Sequence, residues 1–274
     1  MRKVICLLVA PLFLAACGSS PQAATDASGC KPLHTFTTLK KGVLTVAGTT
    51  LPPFGNVTKE GISGVDGEIL TKFAAAECLT IEPTPTSAAA TIPSVQSRRA
   101  DVAMGDWTRT AARAEIVALS DPTYIDQMAL VSQEGFSEVS KIKGKAVGTV
   151  NGYMWVDSLR TYLGELRVYP SNVQMYADLK AGRLDFAIDS FGAATVSMKD
   201  TPYTVKVATP DAAVPATENG SQTAFPVSKA EPELLAALNA HIAKIKADGT
   251  LANLLVANGL PASAANTGGP RLIS

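Results

Sequence analysis

Apolar positions in this chain recur with two different spacings, one typical of strands and one typical of helices. Val43–Ala47 alternates apolar and polar side chains, which predicts a strand, and the glycine and prolines of Gly48–Phe54 cannot continue it. Apolar side chains at Leu70, Phe73 and Ala74 then follow the spacing of one helix face. This part of the chain therefore predicts a strand, a loop and a helix in that order.

The same alternation continues towards the C-terminus. Further strands are predicted at 79–81, 102–104, 128–132, 146–150, 204–208 and 222–227. Helices are predicted at 92–96 and 153–163 and, after Pro232, as two leucine-rich segments that Gly249 separates. Strands that alternate with helices predict an α/β fold.

One short pattern occurs twice and indicates two related halves. Arg99–Gly105 and Arg183–Asp189 both contain Arg-x-Asp-x-Ala, and each follows a helical stretch. The repeat predicts the same helix-to-strand unit in two lobes, with the residues after each strand arriving at a shared cleft.

The N-terminus has the layout of an export signal. Arg2 and Lys3 precede an apolar run, Val4–Phe13, that is too short to cross a bilayer of about 30 Å as a helix. Leu14–Cys17 matches the lipobox of bacterial lipoproteins, in which the cysteine becomes the lipid-bearing first residue. The alternative is a plain secretory signal that is cleaved one or two residues earlier. The sequence therefore predicts a lipid anchor at Cys17 on the outer face of the cell membrane, followed by a flexible linker.

Composition and cysteine usage narrow the possible functions. The chain carries 24 basic and 24 acidic residues, so it lacks the excess of positive charge that is typical of nucleic-acid-binding proteins. Cys6 would leave with the signal and Cys17 would carry lipid, and in an oxidising compartment the remaining Cys30 and Cys78 favour a disulfide. Neither cysteine has neighbours at metal-ligand spacing, so no metal or other cofactor is predicted.

The candidate binding chemistry centres on Arg113. Thr110 precedes a helical run and is a plausible N-cap, and the start of a helix exposes N–H groups that suit an anion. Arg113, one turn into that helix, adds a planar guanidinium group that can bind a carboxylate through two hydrogen bonds. The alternative is a surface arginine on an ordinary helix.

Three motifs in order resemble a known family. Asp-x-Ala at Asp101, Thr-x-x-Arg at Thr110 and Ser-Asp-Pro-x-Tyr at Ser120 resemble the amino-acid-binding periplasmic binding proteins, the solute receptors of ABC importers. The resemblance implies that Arg113 and the N–H groups near Thr108 and Thr110 take the ligand's α-carboxylate. It also implies the type II periplasmic-binding-protein fold, with two α/β lobes joined by two crossing strands and a ligand between them.

The resemblance assigns roles to further residues. Asp189 matches the acid that holds the ligand's α-ammonium, although it could instead cap the helix that follows. Phe54 matches an aromatic residue of the pocket, although it could instead anchor its loop. Gly152 and Tyr153 stand where the family has Gly-Thr or Gly-Ser at a second anion-binding helix N-terminus. The Thr or Ser hydroxyl contact with the ligand is therefore absent or altered in this chain. Asp66 lies at a helix N-terminus near the cleft, where capping is its expected role and contact with the ligand is the alternative.

The side-chain pocket depends on the residues around Asp106. Trp107 stands at an apolar pocket position, and with Phe54 it could sandwich the ligand's side chain. If Asp106 pairs with Arg109, or if both charges are solvated at the rim, a neutral polar amino acid is favoured. If Asp106 faces the ligand alone, a cationic side chain or a quaternary ammonium is favoured. The sequence-based prediction is a polar amino acid, with the cationic or methylated-ammonium ligand as the alternative.

These observations predict a monomeric, lipid-anchored receptor that closes two lobes around an amino acid and delivers it to an ABC transporter permease. An enzyme on the same scaffold, such as a dehydratase, is one alternative, with Asp106 or Glu68 as acid or base, but no catalytic set is readable. A sensor or surface-interaction lipoprotein is another alternative. The predicted segments are the signal peptide 1–16, the anchor and linker 17–42, the first lobe 43–128 and 222–274, and the second lobe 129–221.

Overall fold

A computed structural model describes residues 29–218 and 220–273 of the chain. The predicted signal peptide and the predicted lipid-bearing Cys17 lie outside the described residues. Residues 32–274 form one compact unit. Within the described residues, no helix is long and apolar enough to span a bilayer.

The first lobe is built on a mixed five-stranded sheet. Its strands, in spatial order, are β4 (Thr80–Pro85), β1 (Val43–Gly48), β5 (Val102–Met104), β15 (Pro226–Val227) and β7 (Ala118–Leu119). β1 runs parallel to β4 and β5, whereas β15 is antiparallel to β5 and β7. A hairpin of β2 (Asn56–Val57) and β3 (Ile62–Ser63) precedes the first helix.

Helices cover the first sheet and provide its core. They are α1 (Gly64–Ala76), α2 (Ala88–Gln96), α3 (Ala111–Ile116), α7 (Pro232–Ala247) and α8 (Thr250–Ala257). Phe73 of α1, Leu238 of α7 and Leu255 of α8 are buried in one cluster with Leu44 and Val46 of β1. Burying each such side chain contributes roughly 1.5–3 kcal/mol, so this cluster holds the N-terminal and C-terminal segments of the lobe together.

The second lobe repeats the plan with a second five-stranded sheet. Its strands, in spatial order, are β11 (Arg167–Tyr169), β10 (Val147–Val150), β12 (Phe186–Ser190), β9 (Met128–Ser132) and β13 (Thr204–Val207). β10 runs parallel to β11 and β12, and β9 is antiparallel to β12 and β13. The helices of this lobe are α4 (Val156–Leu163), α5 (Asn172–Lys180) and α6 (Phe191–Ser197).

Two chain segments cross between the lobes. β8 (Ile125–Asp126) leads directly into β9, and β14 (Ser221–Ala224) returns towards β15. β14 pairs antiparallel with β8 and with β6 (Trp107–Thr108), so the crossing segments and the loop before α3 form one small sheet. The two-lobed α/β architecture with two crossing strands is therefore as expected, while the predicted lobe boundaries stay a prediction.

Several details differ from the sequence-based expectation. The strand expected at 79–81 is observed as Thr80–Pro85. It can include Pro83 and Pro85, which have no backbone N–H, because β4 is an edge strand with a partner on one side only. The helix expected from Tyr153 begins at Val156, because residues 151–155 form a turn. Cys30 and Cys78 are disulfide-bonded, which confirms the predicted disulfide.

Candidate functional site

A cavity lies between the lobes where both sheets end. About 470 Å³ in and around it, including open solvent, is not filled by protein atoms. Its walls come from the loop after β1, the loop before α3, β8, the turn before α4 and the end of β12. The lining residues are Thr49, Leu51, Ala88, Gly105, Asp106, Trp107, Thr108, Arg113, Asp126, Tyr153, Met154, Trp155, Ser190 and Ser221.

Arg113 reaches the cavity from a capped helix start. The Thr110 hydroxyl oxygen accepts a hydrogen bond from the Arg113 backbone N–H over 3.1 Å, so the predicted N-cap is confirmed. The guanidinium donates to the Thr108 carbonyl at 2.8 Å and lies 4.8 Å from the centre of the Trp107 ring. Burial lowers the pKa of Arg113 to about 10, so the side chain stays positive at neutral pH.

Arg113 also joins the two lobes. Its second guanidinium nitrogen donates to the Gly152 carbonyl of the second lobe at 3.3 Å. Gly152 has a φ of +87°, and a Cβ there would lie 3.1 Å from the backbone of Ala89 in the first lobe. The lobes therefore meet closely beside Arg113, and Gly152 contributes backbone atoms to the site.

Asp106 faces the cavity in a fixed backbone conformation. Its φ is +60°, which a non-glycine residue adopts only when its surroundings hold it there. Its backbone N–H and that of Gly105 both donate to one carboxylate oxygen of Asp66, each over 2.9 Å. Burial, followed by the nearby charges of Asp126 and Asp66, raises the pKa of Asp106 well above its usual range.

Asp66 therefore holds a turn instead of capping its own helix. Its other carboxylate oxygen accepts a hydrogen bond from the Tyr124 hydroxyl over 2.9 Å. No side-chain cap is formed at the start of α1, which corrects the expected capping role. Burial raises the pKa of Asp66, although its three hydrogen bonds oppose that shift.

Arg109 does not pair with Asp106. Its guanidinium donates to the carbonyl oxygens of Leu119, Ser120 and Arg271. The Asp106 carboxylate instead has a buried Oδ1 atom with no hydrogen-bond partner among the described residues. Neither the Asp106–Arg109 pair nor a solvated Asp106 at the cleft rim is therefore present.

Asp126 is a cavity acid that the sequence patterns did not single out. It lies on the crossing strand β8, is 8% exposed, and accepts a 3.3 Å hydrogen bond from the Gly192 backbone N–H. Burial raises its pKa to about 6. Its place two residues after Ser-Asp-Pro-x-Tyr, where the chain leaves the first lobe, is the signal that could have identified it.

Asp189 is fully buried behind the cavity wall. Its carboxylate accepts hydrogen bonds from the Tyr176 hydroxyl at 2.6 Å, the Tyr153 hydroxyl at 3.0 Å and the Ser190 backbone N–H at 2.8 Å. Tyr153 lines the cavity and Asp189 lies behind it, so contact of Asp189 with the ligand's ammonium stays a prediction. Burial raises the pKa of Asp189 to about 6. The helix after it is capped by Ser190.

The expected aromatic sandwich is absent. Phe54 is 1% exposed and stacks on Tyr124 in the core, with ring centroids 5.4 Å apart. Its ring reaches the second lobe, where a Cβ on Gly192 would lie 2.5 Å from it. Thr49 and Leu51 of the same loop line the cavity in its place. Trp107 does line the cavity, and its ring packs under Arg113.

Sequence patterns also did not identify the two cavity residues that follow Tyr153. Met154 and Trp155 line the cavity from the turn that precedes α4. The Trp155 indole N–H donates to the Thr149 hydroxyl at 2.8 Å, and its ring meets Tyr153 edge to face at 5.0 Å. The altered Gly-Tyr pair therefore belongs to an aromatic wall. Among the described residues, no cluster of His, Cys, Asp or Glu side chains could hold a metal ion.

Two α/β lobes that meet over a buried, charged cavity define a binding protein of the type II periplasmic-binding-protein fold. Residues 44–257 match the family described as bacterial extracellular solute-binding proteins, family 3. The chain belongs to this family.

Relatives of established function are similar over part of the chain. The lysine/arginine/ornithine-binding periplasmic protein of Escherichia coli is 27% identical over 59% of this chain and 65% of its own length. The histidine-binding periplasmic protein of Salmonella typhimurium is 28% identical over 60% of this chain and 66% of its own length. This chain thus spans slightly less than two thirds of each. An L-cystine-binding protein of Escherichia coli is 28% identical over 74% of this chain and 76% of its own length.

Solved structures share the fold. An ancestral arginine-binding protein bound to arginine is 23% identical, with a TM-score of 0.70 over 80% of this chain and 98% of its own. An amino-acid ABC transporter substrate-binding protein from Streptococcus pneumoniae, bound to L-arginine, is 24% identical. Its TM-score is 0.70 over 80% of this chain and 94% of its own. At these identities, the likeness shows the fold alone.

Proposed function

We propose that this protein is the amino-acid receptor of an ABC importer. One observation carries the proposal: a single buried cavity between two lobes holds the guanidinium of Arg113 together with the carboxylates of Asp106 and Asp126. A zwitterion matches such a site, because its carboxylate suits Arg113 and its ammonium suits the acidic side. The names of the relatives, which bind basic amino acids, histidine and cystine, support the same class of ligand.

Within that class we propose a cationic amino acid, in preference to the neutral polar ligand that the sequence favours. The neutral choice depended on an Asp106 that is paired with Arg109 or solvated, and Arg109 is instead bound to backbone carbonyls. The cavity lining then carries two carboxylates and one guanidinium. Burial and the neighbouring acids raise the pKa of Asp106 and so favour its protonated form when no cation is bound. An amino acid with one net positive charge would stabilise both acids in the ionised form and balance this set. A quaternary ammonium over Trp107 is the alternative cation.

Transport follows from closure of the two lobes about the crossing strands. A ligand that contacts both lobes stabilises the closed form, and an importer permease would recognise that form. We further propose that the exported protein works as a monomer and is held at the outer face of the cell membrane by lipid on Cys17. Binding and release require no chemical step, so we propose no enzymatic activity.

A binding screen tests the proposal. The soluble chain from residue 29 onward, with its disulfide intact, would be screened by thermal shift against the common amino acids, ornithine, cystine and glycine betaine. A ligand that binds only the folded state raises the melting temperature. A free ligand concentration of 100 times the dissociation constant stabilises the folded state by about 2.7 kcal/mol. We expect arginine, lysine or ornithine to give the largest shift, and calorimetry to confirm one site. The absence of a shift with every amino acid would contradict the receptor function.

A further inference from the structure

Residues 266–273, which follow α8 and a short turn, run from α7 across crossing strand β14 to the loop that begins α3. We call this segment the strap. On the basis of the proposed function, we propose that the strap is a positioning element for the carboxylate subsite, because it fixes the backbone from which Arg113 reaches the cavity. Residues 266–273 are not among those that line the cavity, so the strap acts on the ligand through Arg113.

The strap is attached to crossing strand β14 through one buried amide. Gln222 is 1% exposed, and its side-chain N–H groups donate to the carbonyls of Thr267 at 2.8 Å and Gly269 at 2.7 Å. Its side-chain oxygen accepts a hydrogen bond from the Arg271 backbone N–H at 2.8 Å. A buried amide that uses both its donors and its acceptor holds its partners in one arrangement, so the strap has a fixed position on β14.

Further along, the strap lies against the loop before α3. The Ile273 N–H donates to the Arg109 carbonyl at 3.0 Å, and the Ile273 carbonyl accepts a hydrogen bond from the Ala111 N–H at 2.9 Å. Thr110, which caps α3, is therefore paired with Ile273 in a parallel bridge. Ala111 is the first residue of α3, and an N–H at that position has no partner within its own helix. The strap thus binds a backbone donor that the helix leaves open.

The same loop is bound by β14 on its other side. The Arg109 N–H donates to the Gln222 backbone carbonyl at 2.7 Å, and Thr108 pairs with Thr223. Gln222 therefore binds the loop through its backbone and the strap through its side chain. Because residues 109–111 are held between β14 and the strap, loss of the strap would leave this loop attached on one side only.

The position of Arg113 depends on this loop. Its backbone N–H donates to the Thr110 hydroxyl at 3.1 Å, and its guanidinium donates to the Thr108 carbonyl at 2.8 Å. These two acceptors flank Arg109, so a shift of Arg109 moves both contacts that orient the guanidinium. A binding group has to be held to within roughly 0.5 Å of its productive geometry by the residues around it. The strap is thus one of the supports that the carboxylate subsite requires.

Two cationic side chains add attachments to the strap. Lys246 of α7 donates to the Thr267 hydroxyl at 2.7 Å, which fixes the strap to the first lobe. The Arg271 guanidinium donates to the carbonyl of Gly220, immediately before β14, where the chain arrives from the second lobe. Closure of two lobes is absorbed by a few residues of the segments that connect them. The strap therefore links the segment expected to move on closure to the loop that positions Arg113.

Variants of the strap in the otherwise intact chain test the proposal, with L-arginine as the probe in calorimetry. Ile273→Pro removes the N–H that binds Arg109, whereas Ile273→Val keeps that N–H and a side chain of similar shape. Leu272→Ala is the neighbouring control, because the Leu272 side chain is 47% exposed. At a temperature where each protein is fully folded, we expect Ile273→Pro to weaken arginine binding by about tenfold or more. The other two variants should stay close to the wild type.

A spectroscopic measurement separates positioning from a loss of stability. Both tryptophans of the chain, Trp107 and Trp155, line the cavity, and the Trp107 ring centre lies 4.8 Å from the Arg113 guanidinium. The near-ultraviolet circular dichroism of ligand-free Ile273→Pro should therefore change while its far-ultraviolet spectrum does not. Ile273→Val should keep both spectra of the wild type. A strap that only adds stability would lower the melting temperature without changing the tryptophan signal.

Gln222→Asn takes the place of Ile273→Pro if the proline variant does not fold. Its shorter amide cannot reach both strap carbonyls, while its backbone stays in β14, and the same two changes are expected. Wild-type arginine affinity in the folded variant, or a wild-type near-ultraviolet spectrum, would overturn the strap as a positioning element. Wild-type protein that binds no amino acid would overturn the proposed function instead, and the ligand-free spectra would still test the strap, so the two failures are distinguishable.

Discussion

Arg113 of the first lobe donates a hydrogen bond to the carbonyl oxygen of Gly152 in the second lobe over 3.3 Å. The group that we propose for the ligand's carboxylate is therefore also a contact between the lobes. Carboxylate binding and lobe closure are coupled through one side chain, because a ligand that holds the guanidinium also holds it within reach of Gly152.

Replacement of Arg113 by alanine should abolish most ligand binding. The variant loses the charge that faces the carboxylate and leaves that carboxylate buried without a partner, which typically costs about 2–5 kcal/mol. Calorimetry with arginine and ornithine measures this loss. Arg160→Ala is the control, because Arg160 lies on α4 with its side chain 55% exposed. Near-wild-type affinity in Arg113→Ala would place the carboxylate site elsewhere.

Replacement of Gly152 by alanine should impair closure while the second lobe stays folded. An L-residue at a φ of +87° is strained, and the new Cβ would lie 3.1 Å from the Ala89 backbone in the first lobe. Backbone strain of this kind costs about 1–3 kcal/mol. We expect at least tenfold weaker binding and a smaller ligand-induced decrease in the radius of gyration by small-angle scattering. Gly164→Ala is the matched control, with a similar φ of +82° and open space around its Cβ. Equal effects of the two variants would mean that strain alone, and not the contact between lobes, is responsible.

The stability of the ligand-free protein should fall as pH rises from about 4 to 7 through the contribution of Asp126. Burial raises its folded-state pKa to about 6, above the ordinary aspartate value near 4 that applies to the unfolded chain. Between those values the folded state binds more protons than the unfolded state, so raising the pH favours unfolding. Each pKa unit corresponds to about 1.4 kcal/mol.

Comparison with Asp126→Asn separates the contribution of the interacting acids Asp126 and Asp106 from that of the other titrating groups. The free energy of unfolding of the variant, minus that of the wild type, should increase by about 1–3 kcal/mol between pH 4 and pH 7.5. Denaturant titrations at a series of pH values measure the difference. A difference that is constant or decreases with pH would refute the raised pKa of Asp126.

Replacement of Gln222 by leucine should destabilise the protein through its C-terminal segment. The Gln222 amide, on crossing strand β14, donates to the carbonyls of Thr267 and Gly269 and accepts from the Arg271 backbone N–H, all within 2.8 Å. Leucine has similar size but removes all three hydrogen bonds and leaves the carbonyl of the buried Thr267 unpaired, which costs about 1–3 kcal/mol. Chemical denaturation measures the loss, with the exposed Gln174→Leu on α5 as the control. Unchanged stability would show that water replaces the amide without cost.

Replacement of Cys17 by serine should release the protein from the membrane fraction or leave its precursor unprocessed. The expectation rests on Leu14–Cys17, which matches the lipobox of bacterial lipoproteins. Membrane fractionation and intact mass of the exported protein, in wild type and variant, measure the effect. Retention of the variant in the membrane with unchanged mass would contradict the lipid anchor.

The sequence by itself determined the features that depend on short-range patterns. Alternation and helical spacing predicted most strands and helices of both lobes, and Thr110 with Arg113 predicted the capped helix start that the structure contains. These succeed because capping and amphipathic periodicity involve residues within one or two turns of each other. The disulfide between Cys30 and Cys78 followed from counting cysteines in a chain that the sequence predicts to be exported.

Only the tertiary structure decided which charged groups face the cavity. Asp66 holds the turn at Asp106 from 40 residues away in sequence, and Arg109 is drawn to Arg271 from 162 residues away. Asp126 and Asp189 both sit at strand ends, and their difference in placement arises from the tyrosines that pack against Asp189. No local pattern encodes these contacts, because each depends on how distant segments meet once the core is packed.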